Sequence, residues 1–159
     1  MNTLMRDINL FDDFLQGQFL MKVSTVPAYQ LFVGTDIEDL ERWHKLLPEL
    51  DGDLGNRMFF PEEHAYCRSY ADAAVHYAGT WCAKEAVFKA LSVGYVLLAS
   101  DLKILRESDG RPFVDLSHTC FDALKPVIRL SISHCNTTAL AFAVALVPFL
   151  PSSTDENKG

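Results

Sequence analysis

The chain has little with which to crosslink itself. Its four cysteines, Cys67, Cys82, Cys120 and Cys135, form no Cys-x-x-Cys pair and no disulfide-like framework. With no secretory leader either, the expected setting is a reducing, cytoplasmic one. No cluster of lysine and arginine interrupts a net charge of -7, which argues against a general nucleic-acid binder. The amino-terminal stretch mixes Asp7, Asp12 and Asp13 among its apolar residues, unlike a signal peptide. The longest apolar run, 138–150, is too short to span a bilayer and ends among Pro148 and Pro151. There is no low-complexity tract. The expectation is a soluble protein with neither nucleic acid nor membrane as partner.

What is present is enough for one domain with a core of its own: 159 residues, 49% hydrophobic and 22% charged. Residues 1–28 read as an acidic amphipathic extension, with Leu10, Phe11, Phe14, Leu15 and Phe19 near helical spacing. The domain is expected over 29–150, and 151–159 is expected to be a disordered polar tail. Tyr29 to Val33 predicts a buried strand that Gly34-Thr35 ends or bends. Residues 48–56 predict a loop. A long helix is predicted from Glu62 or Ala71 to Leu91, with a break near Asp72, and Gly94 is a candidate left-handed cap after it. Residues 101–107 and 112–116, joined by Ser108-Asp109-Gly110-Arg111, predict a hairpin. A short helix over 118–125 follows, and 127–133 with 139–147 predict a second hairpin. Its last strand is apolar on both faces, hence central or interface-facing. Hairpins segregated from one long helix define an α+β fold, with a largely antiparallel β-sheet packed against that helix.

Two clusters of charge stand out. On the predicted helix Trp81 to Leu91, Glu85 and Lys89 are one turn apart and share a face, with Glu85 bordering the apolar stripe of Ala78, Trp81 and Cys82. On this segment alone a surface ion pair is the favoured explanation. Upstream, Asp36 and Glu38 project to one side if the extended conformation persists, and two carboxylates beside a glycine suit a hard cation such as Mg²⁺. On this segment alone an acidic helix start is the favoured explanation of that pair. His64 with Cys67, His118 with Cys120 and His134 with Cys135 lack the spacing of structural zinc.

Taken in order, Gly34-Thr35-Asp36-Ile37-Glu38, Arg42, Trp81-Cys82-Ala83-Lys84-Glu85-Ala86-Val87-Phe88-Lys89-Ala90-Leu91, Gly110-Arg111-Pro112 and Ser131-Ile132-Ser133-His134 resemble the 4′-phosphopantetheinyl transferases. The resemblance is strongest to the short holo-acyl-carrier-protein synthase type and spans about Leu31 to Val147. It implies Mg-dependent transfer of the phosphopantetheine arm of coenzyme A to a serine of an apo acyl or peptidyl carrier protein. Adenosine 3′,5′-bisphosphate would be the other product. It further implies Asp36 and Glu85 as metal ligands, with Glu38 where longer members carry another acidic ligand. Lys89 matches the lysine that approaches the reacting phosphate, and Glu85 is the candidate base. Lys84, Ser131, Ser133 and His134, with the reduced glycine turn at Gly94, would line the coenzyme A site, and Arg42 would contact the carrier. Short members typically assemble as trimers with sites between subunits, serving fatty acid or polyketide synthesis.

Three departures accompany the resemblance. Thr80 stands where short members carry an arginine, which leaves open a non-catalytic relative that binds coenzyme A or a carrier without transferring the arm. The turn after the helix keeps only Gly94. The first helix is acidic around Arg42, so a carrier is expected to be atypical, less acidic, or docked by apolar residues such as Leu46, Leu47 and Phe59.

Overall fold

Residue alternation forms the first element, and a computed structural model shows how far it extends. It describes residues 29–92, 97–117, 119, 121 and 123–148. The account below concerns the unit Gln30–Val147 and the strand residues that border it. The extension, the tail, Gly94, His118 and Cys120 lie outside the described residues.

Strand β1 is Tyr29–Asp39. It neither ends nor bends at Gly34-Thr35, and it is not buried: Leu31 and Val33 are 63% and 58% exposed. The glycine serves the packing of a neighbour. A Cβ on Gly34 would lie 2.0 Å from the Ala86 carbonyl oxygen and 2.8 Å from the Ala90 nitrogen, so the long helix passes against this strand only because that atom is missing. Asp39 ends the strand and caps helix α1, Leu40–Leu46, accepting from the Arg42 amide at 2.9 Å.

The expected loop at 48–56 is instead a 3₁₀ turn, Leu47–Asp51, and helix α2, Asp53–Met58. Gly55 permits this, because a Cβ there would lie 2.0 Å from the Leu50 carbonyl oxygen. Helix α3, Pro61–Arg68, opens on proline as expected. A break at 69–72 separates it from helix α4, Ala73–Leu91. After a 3₁₀ turn at Ala99–Asp101, β2 (Lys103–Arg106) and β3 (Pro112–Asp115) form an antiparallel hairpin, with Gly110 at φ 87° in its turn. Strands β4 (Val127–His134) and β5 (Thr138–Pro148) form the second. Three strands make one sheet in the order β1-β5-β4, and β2 with β3 makes another. The fold is α+β with antiparallel sheets around the long helix.

Strand β5 is central, and its two faces differ. Ala139, Ala141, Ala143, Ala145 and Val147 are buried, whereas Leu140, Phe142 and Leu146 remain about two-fifths exposed. The buried row of alanines faces a helix that is also built of small residues: Ala78, Gly79, Cys82, Ala83, Ala86 and Ala90 are all buried. The Cys82 thiol donates to the Ala139 carbonyl at 3.4 Å, and a Cβ on Gly79 would meet Ile132 Cγ2 of β4 at 3.1 Å. Small residues on both surfaces bring the helix backbone close to the sheet, and so bring Glu85 and Lys89 toward β1.

On its other side α4 packs on α1 and α3 through aromatic rings. Phe59 makes edge contacts with Trp43, Tyr77 and Trp81 at centroid distances of 6.1, 4.9 and 6.0 Å. Phe59 is therefore core, 4% exposed. It is not the carrier-docking residue that its sequence neighbourhood led us to expect.

Candidate active site

The site forms where β1 passes helix α4. Because the strand continues through Asp39, Asp36 and Glu38 do share a face, the one directed inward. Lys89, at the end of α4, donates to Asp36 Oδ1 at 2.8 Å and to the Thr35 carbonyl at 3.1 Å. This contact raises the Lys89 pKa, its hydrogen bond to the Asp36 carboxylate being the main cause. The other Asp36 oxygen, Oδ2, is buried with no hydrogen bond of normal geometry, although the Cys82 thiol lies close enough to feel the carboxylate. Glu85, one turn before Lys89, has its carboxyl held above the usual range, first by burial and then by the charge of Asp36, against the pull of Lys89.

The two acids and the lysine thus meet at one place. An orphaned carboxylate oxygen beside a second carboxylate that resists ionisation is a site short of positive charge. A hard divalent cation suits it by charge and by donor type. Among the described residues no three His, Cys, Asp or Glu side chains form a ready cage. Lys89 is 47% exposed, so its ammonium can pivot from Asp36 to an incoming anion.

Glu38 joins the same face but is engaged elsewhere. Its Oε2 accepts from the Trp43 indole at 3.0 Å and from the Arg42 guanidinium at 3.1 Å. Arg42 itself is exposed on α1. Lys84 does not join the site. Its ammonium is fully buried, 2.7 Å from the buried carboxylate of Glu63 and 5.4 and 5.1 Å from the ring centroids of Phe59 and Phe60. One residue of helix turns it about 100° from Glu85, into the layer of α3, where it offers nothing to a ligand arriving from solvent.

Glu63 was not among the sequence candidates, since a first-turn acid after Pro61 looks like ordinary dipole complementation. It accepts from the Phe60 amide at 2.8 Å and the Ile104 amide at 2.7 Å while pairing with Lys84, and so joins α3, α4 and β2. Removing one member of a fully buried pair costs about 3–5 kcal/mol. Lys84→Met is expected to lower the melting temperature by on the order of 10 °C. Glu63→Met should cost more, because it also strands two amides. Thermal melts of the two variants check the order.

The strand-end motif divides. Ser131 and Ser133 are exposed and pair in register with Phe142 and Leu140, on the sheet face away from α4. His134 lies on the helix side, 6.4 Å from His76 between ring centroids. It lines a cavity of about 620 Å³ with His44, Asp72, His76, Cys135 and Asn136. Arg106, Gly110 and Pro112 line an adjoining space with His76 and His134. Burial, then the neighbouring His134 and Arg106, lowers the His76 pKa. His76 and Glu85 are nine residues apart on one helix, about two and a half turns, so they lie on opposite faces of α4 and this cavity is not continuous with the Asp36 site along one side of the helix. Thr80 is fully buried and lies 3.7 Å from the Cys67 thiol. Burial also pushes up the Cys82 pKa, so this thiol is core and not a nucleophile.

An α+β fold that places two carboxylates and a lysine between a strand and a long helix matches a known family. The model of the 4′-phosphopantetheinyl transferase superfamily covers residues 32–145. The holo-[acyl-carrier-protein] synthase of Protochlamydia amoebophila is 38% identical over 117 residues, 72% of this chain and 96% of that protein. The enzyme of that name from Clostridium botulinum is 37% identical over 116 residues, 70% of this chain and 94% of its own. Among solved structures, the Helicobacter pylori synthase in complex with coenzyme A superposes with a TM-score of 0.60 at 30% identity, covering 72% of this chain and 98% of that one. The chain belongs to the 4′-phosphopantetheinyl transferase superfamily, within its short holo-acyl-carrier-protein synthase type. It is an enzyme of that class.

Proposed function

We propose that this enzyme transfers the 4′-phosphopantetheine arm of coenzyme A to a serine of an apo carrier protein, with Mg²⁺ held by Asp36 and Glu85. The observation that carries this reading is the buried, unpartnered Asp36 Oδ2 beside Glu85 and Lys89. The serine oxygen bonds to the phosphorus that bears the arm. The pyrophosphate bond on that phosphorus breaks, adenosine 3′,5′-bisphosphate leaves, and the serine proton passes to Glu85 or to a water it holds. The cation, when bound, supplies charge stabilisation to the phosphate oxygens. Lys89 opposes the charge that develops on the reacting phosphate, and its hold on Asp36 keeps it within reach. Exposed Arg42 meets the carrier.

The test is direct. The protein is incubated with coenzyme A, Mg²⁺ and candidate apo carriers, and the carriers are weighed by mass spectrometry. A gain equal to the arm on one of them is expected. Coenzyme A binding with no gain on any carrier would move the reading to a non-catalytic relative, the possibility that Thr80 raises.

The pH dependence has a definite sign. Glu85 takes up a proton at a higher pH than an exposed glutamate does, and it must release that proton to bind metal. Manganese(II) affinity is therefore expected to fall between neutral and mildly acidic buffer, where exposed carboxylates still ligate. Without metal the raised carboxyl favours the protonated fold. Stability then declines as pH rises from the ordinary carboxylate range through that of Glu85, and bound metal removes the decline.

The chain is further proposed to act as a homotrimer. Support comes from the outer sheet face, where Leu31, Val33, Ile37, Leu140, Phe142 and Leu146 are exposed together with Ser131 and Ser133. Light scattering on the purified chain decides this, and a monomer at working concentration would refute it. Among the described residues no helix is long and apolar enough to cross a membrane, and a cytoplasmic setting is proposed.

A further inference from the structure

The corner between β1 and α1 holds more charge than a strand-to-helix turn needs. Within seven residues it carries Asp36 at the metal end, Glu38, the Asp39 cap and Arg42. Glu38 is 11% exposed at its side chain and Arg42 67%. Trp43, also bonded to Glu38, is completely buried. A buried indole N–H needs an acceptor, and Glu38 Oε2 is that acceptor at 3.0 Å. The same oxygen receives the Arg42 guanidinium at 3.1 Å. Turning Oε2 toward a cation would strand the indole. Binding through the other oxygen would bring a divalent ion beside the fixed positive charge of Arg42. A carboxylate so placed is poorly suited to hold a metal and well suited to hold a corner.

We propose that Glu38 is a positioning residue that ties helix α1 to strand β1 through Arg42 and Trp43, so that carrier transfer depends on it while metal binding does not. The proposal rests on the reading of α1 as the element that meets the carrier. Its physical content is registration. Asp36 sets where the reacting phosphate is held, and Arg42 sets where the carrier lands. The serine reaches the phosphorus in line only if the two are fixed relative to each other, since a misplacement of about 1 Å can cost on the order of 10²-fold in rate. A single carboxylate, linked to the strand by its backbone and to the helix by two hydrogen bonds, fixes that relation. The Asp39 cap holds the helix start but reaches neither Arg42's guanidinium nor Trp43's ring, bonding only the Arg42 amide.

The experiment compares Glu38→Gln and Glu38→Leu. The amide oxygen of glutamine still accepts from both donors but has no charge, whereas leucine accepts from neither. Three readouts are taken: kcat/KM for the carrier, manganese(II) affinity by its EPR signal in the presence of coenzyme A, and Trp43 emission in a Trp81→Phe background. The expected result is a loss of about tenfold or more in carrier kcat/KM for Glu38→Leu, with recovery to within about threefold for Glu38→Gln. Manganese affinity should stay within about twofold in both variants, and Trp43 emission should shift only in Glu38→Leu. A tenfold loss of manganese affinity in Glu38→Gln, with carrier kinetics otherwise preserved, would overturn the proposal and make Glu38 a ligand. Unchanged carrier kinetics in both variants would overturn it as well. Should the parent enzyme modify no carrier, the functional reading falls separately. Emission and manganese binding then decide the tie, an unshifted Trp43 in Glu38→Leu refuting it. If Glu38→Leu fails to fold, Glu38→Gln alone still separates a charged ligand from a neutral acceptor.

Discussion

Glu85→Ala is expected to lose on the order of 10²–10³-fold or more in kcat, with its fold intact. The side chain is only partly buried and makes no ion pair that holds elements together, so its removal opens no large cavity. What disappears is one of the two carboxylates at the Asp36 site and the candidate proton acceptor. Removing Glu85 also relieves the repulsion on Asp36, so the apo variant should melt no lower than the parent. Asp36→Ala is expected to lose a similar factor, and in addition it releases Lys89, whose ammonium then has only the Thr35 carbonyl. Single-turnover transfer with calorimetric melts measures both sides of this claim. Full activity in either variant would show that the metal site lies elsewhere.

The second large effect comes from a residue with no side chain. Gly34→Ala places a carbon 2.0 Å from the Ala86 carbonyl oxygen, a backbone atom that cannot move alone. Either β1 or α4 must retreat. Overpacking of this kind typically costs 1–3 kcal/mol, and more where the obstacle is backbone. A loss of about 3 kcal/mol, or roughly 6–12 °C in melting temperature, is expected. The retreat also separates Asp36 from Glu85 and Lys89. Gly34→Ala should therefore lose transfer activity even at temperatures where it is folded, and should bind manganese(II) less tightly. A folded variant with parental metal affinity would show that the close approach is not what assembles the site.

These two cases mark what the amino-acid order discloses. The hairpins and the long helix are legible because period-2 and period-3.6 patterns are local. The meeting of Asp36 with Glu85 and Lys89 follows from the order of motifs and from the family resemblance. Gly34 was legible as a glycine but not as a contact, because what it accommodates is 52 residues away. It therefore reads as the end of a strand that in fact continues. Lys84 and Glu63 illustrate the same limit: each has an ordinary local explanation, and only the packing of α3 against α4 makes them partners. The division between Ser131 with Ser133 and His134, by contrast, was available from strand alternation alone. The short helices at 47–58 depend on Gly55 packing against the Leu50 backbone, a contact no propensity reports.

The alanine row of β5 has a consequence for how this enzyme can change over generations. Ala139, Ala141, Ala143 and Ala145 have no room to grow, since each is fully buried in the layer under the helix. They have almost nothing to lose, since only glycine is smaller. Variation along this row is closed in both directions. One residue over, Leu140, Phe142 and Leu146 point outward with space around them. A single strand thus separates a face whose composition is frozen by the spacing of two backbones from one whose side chains are not confined by the chain's own core. If copies of the chain meet on the outer face, that face is the one whose changes can be matched by changes in the partner copy, a route the alanine row does not have.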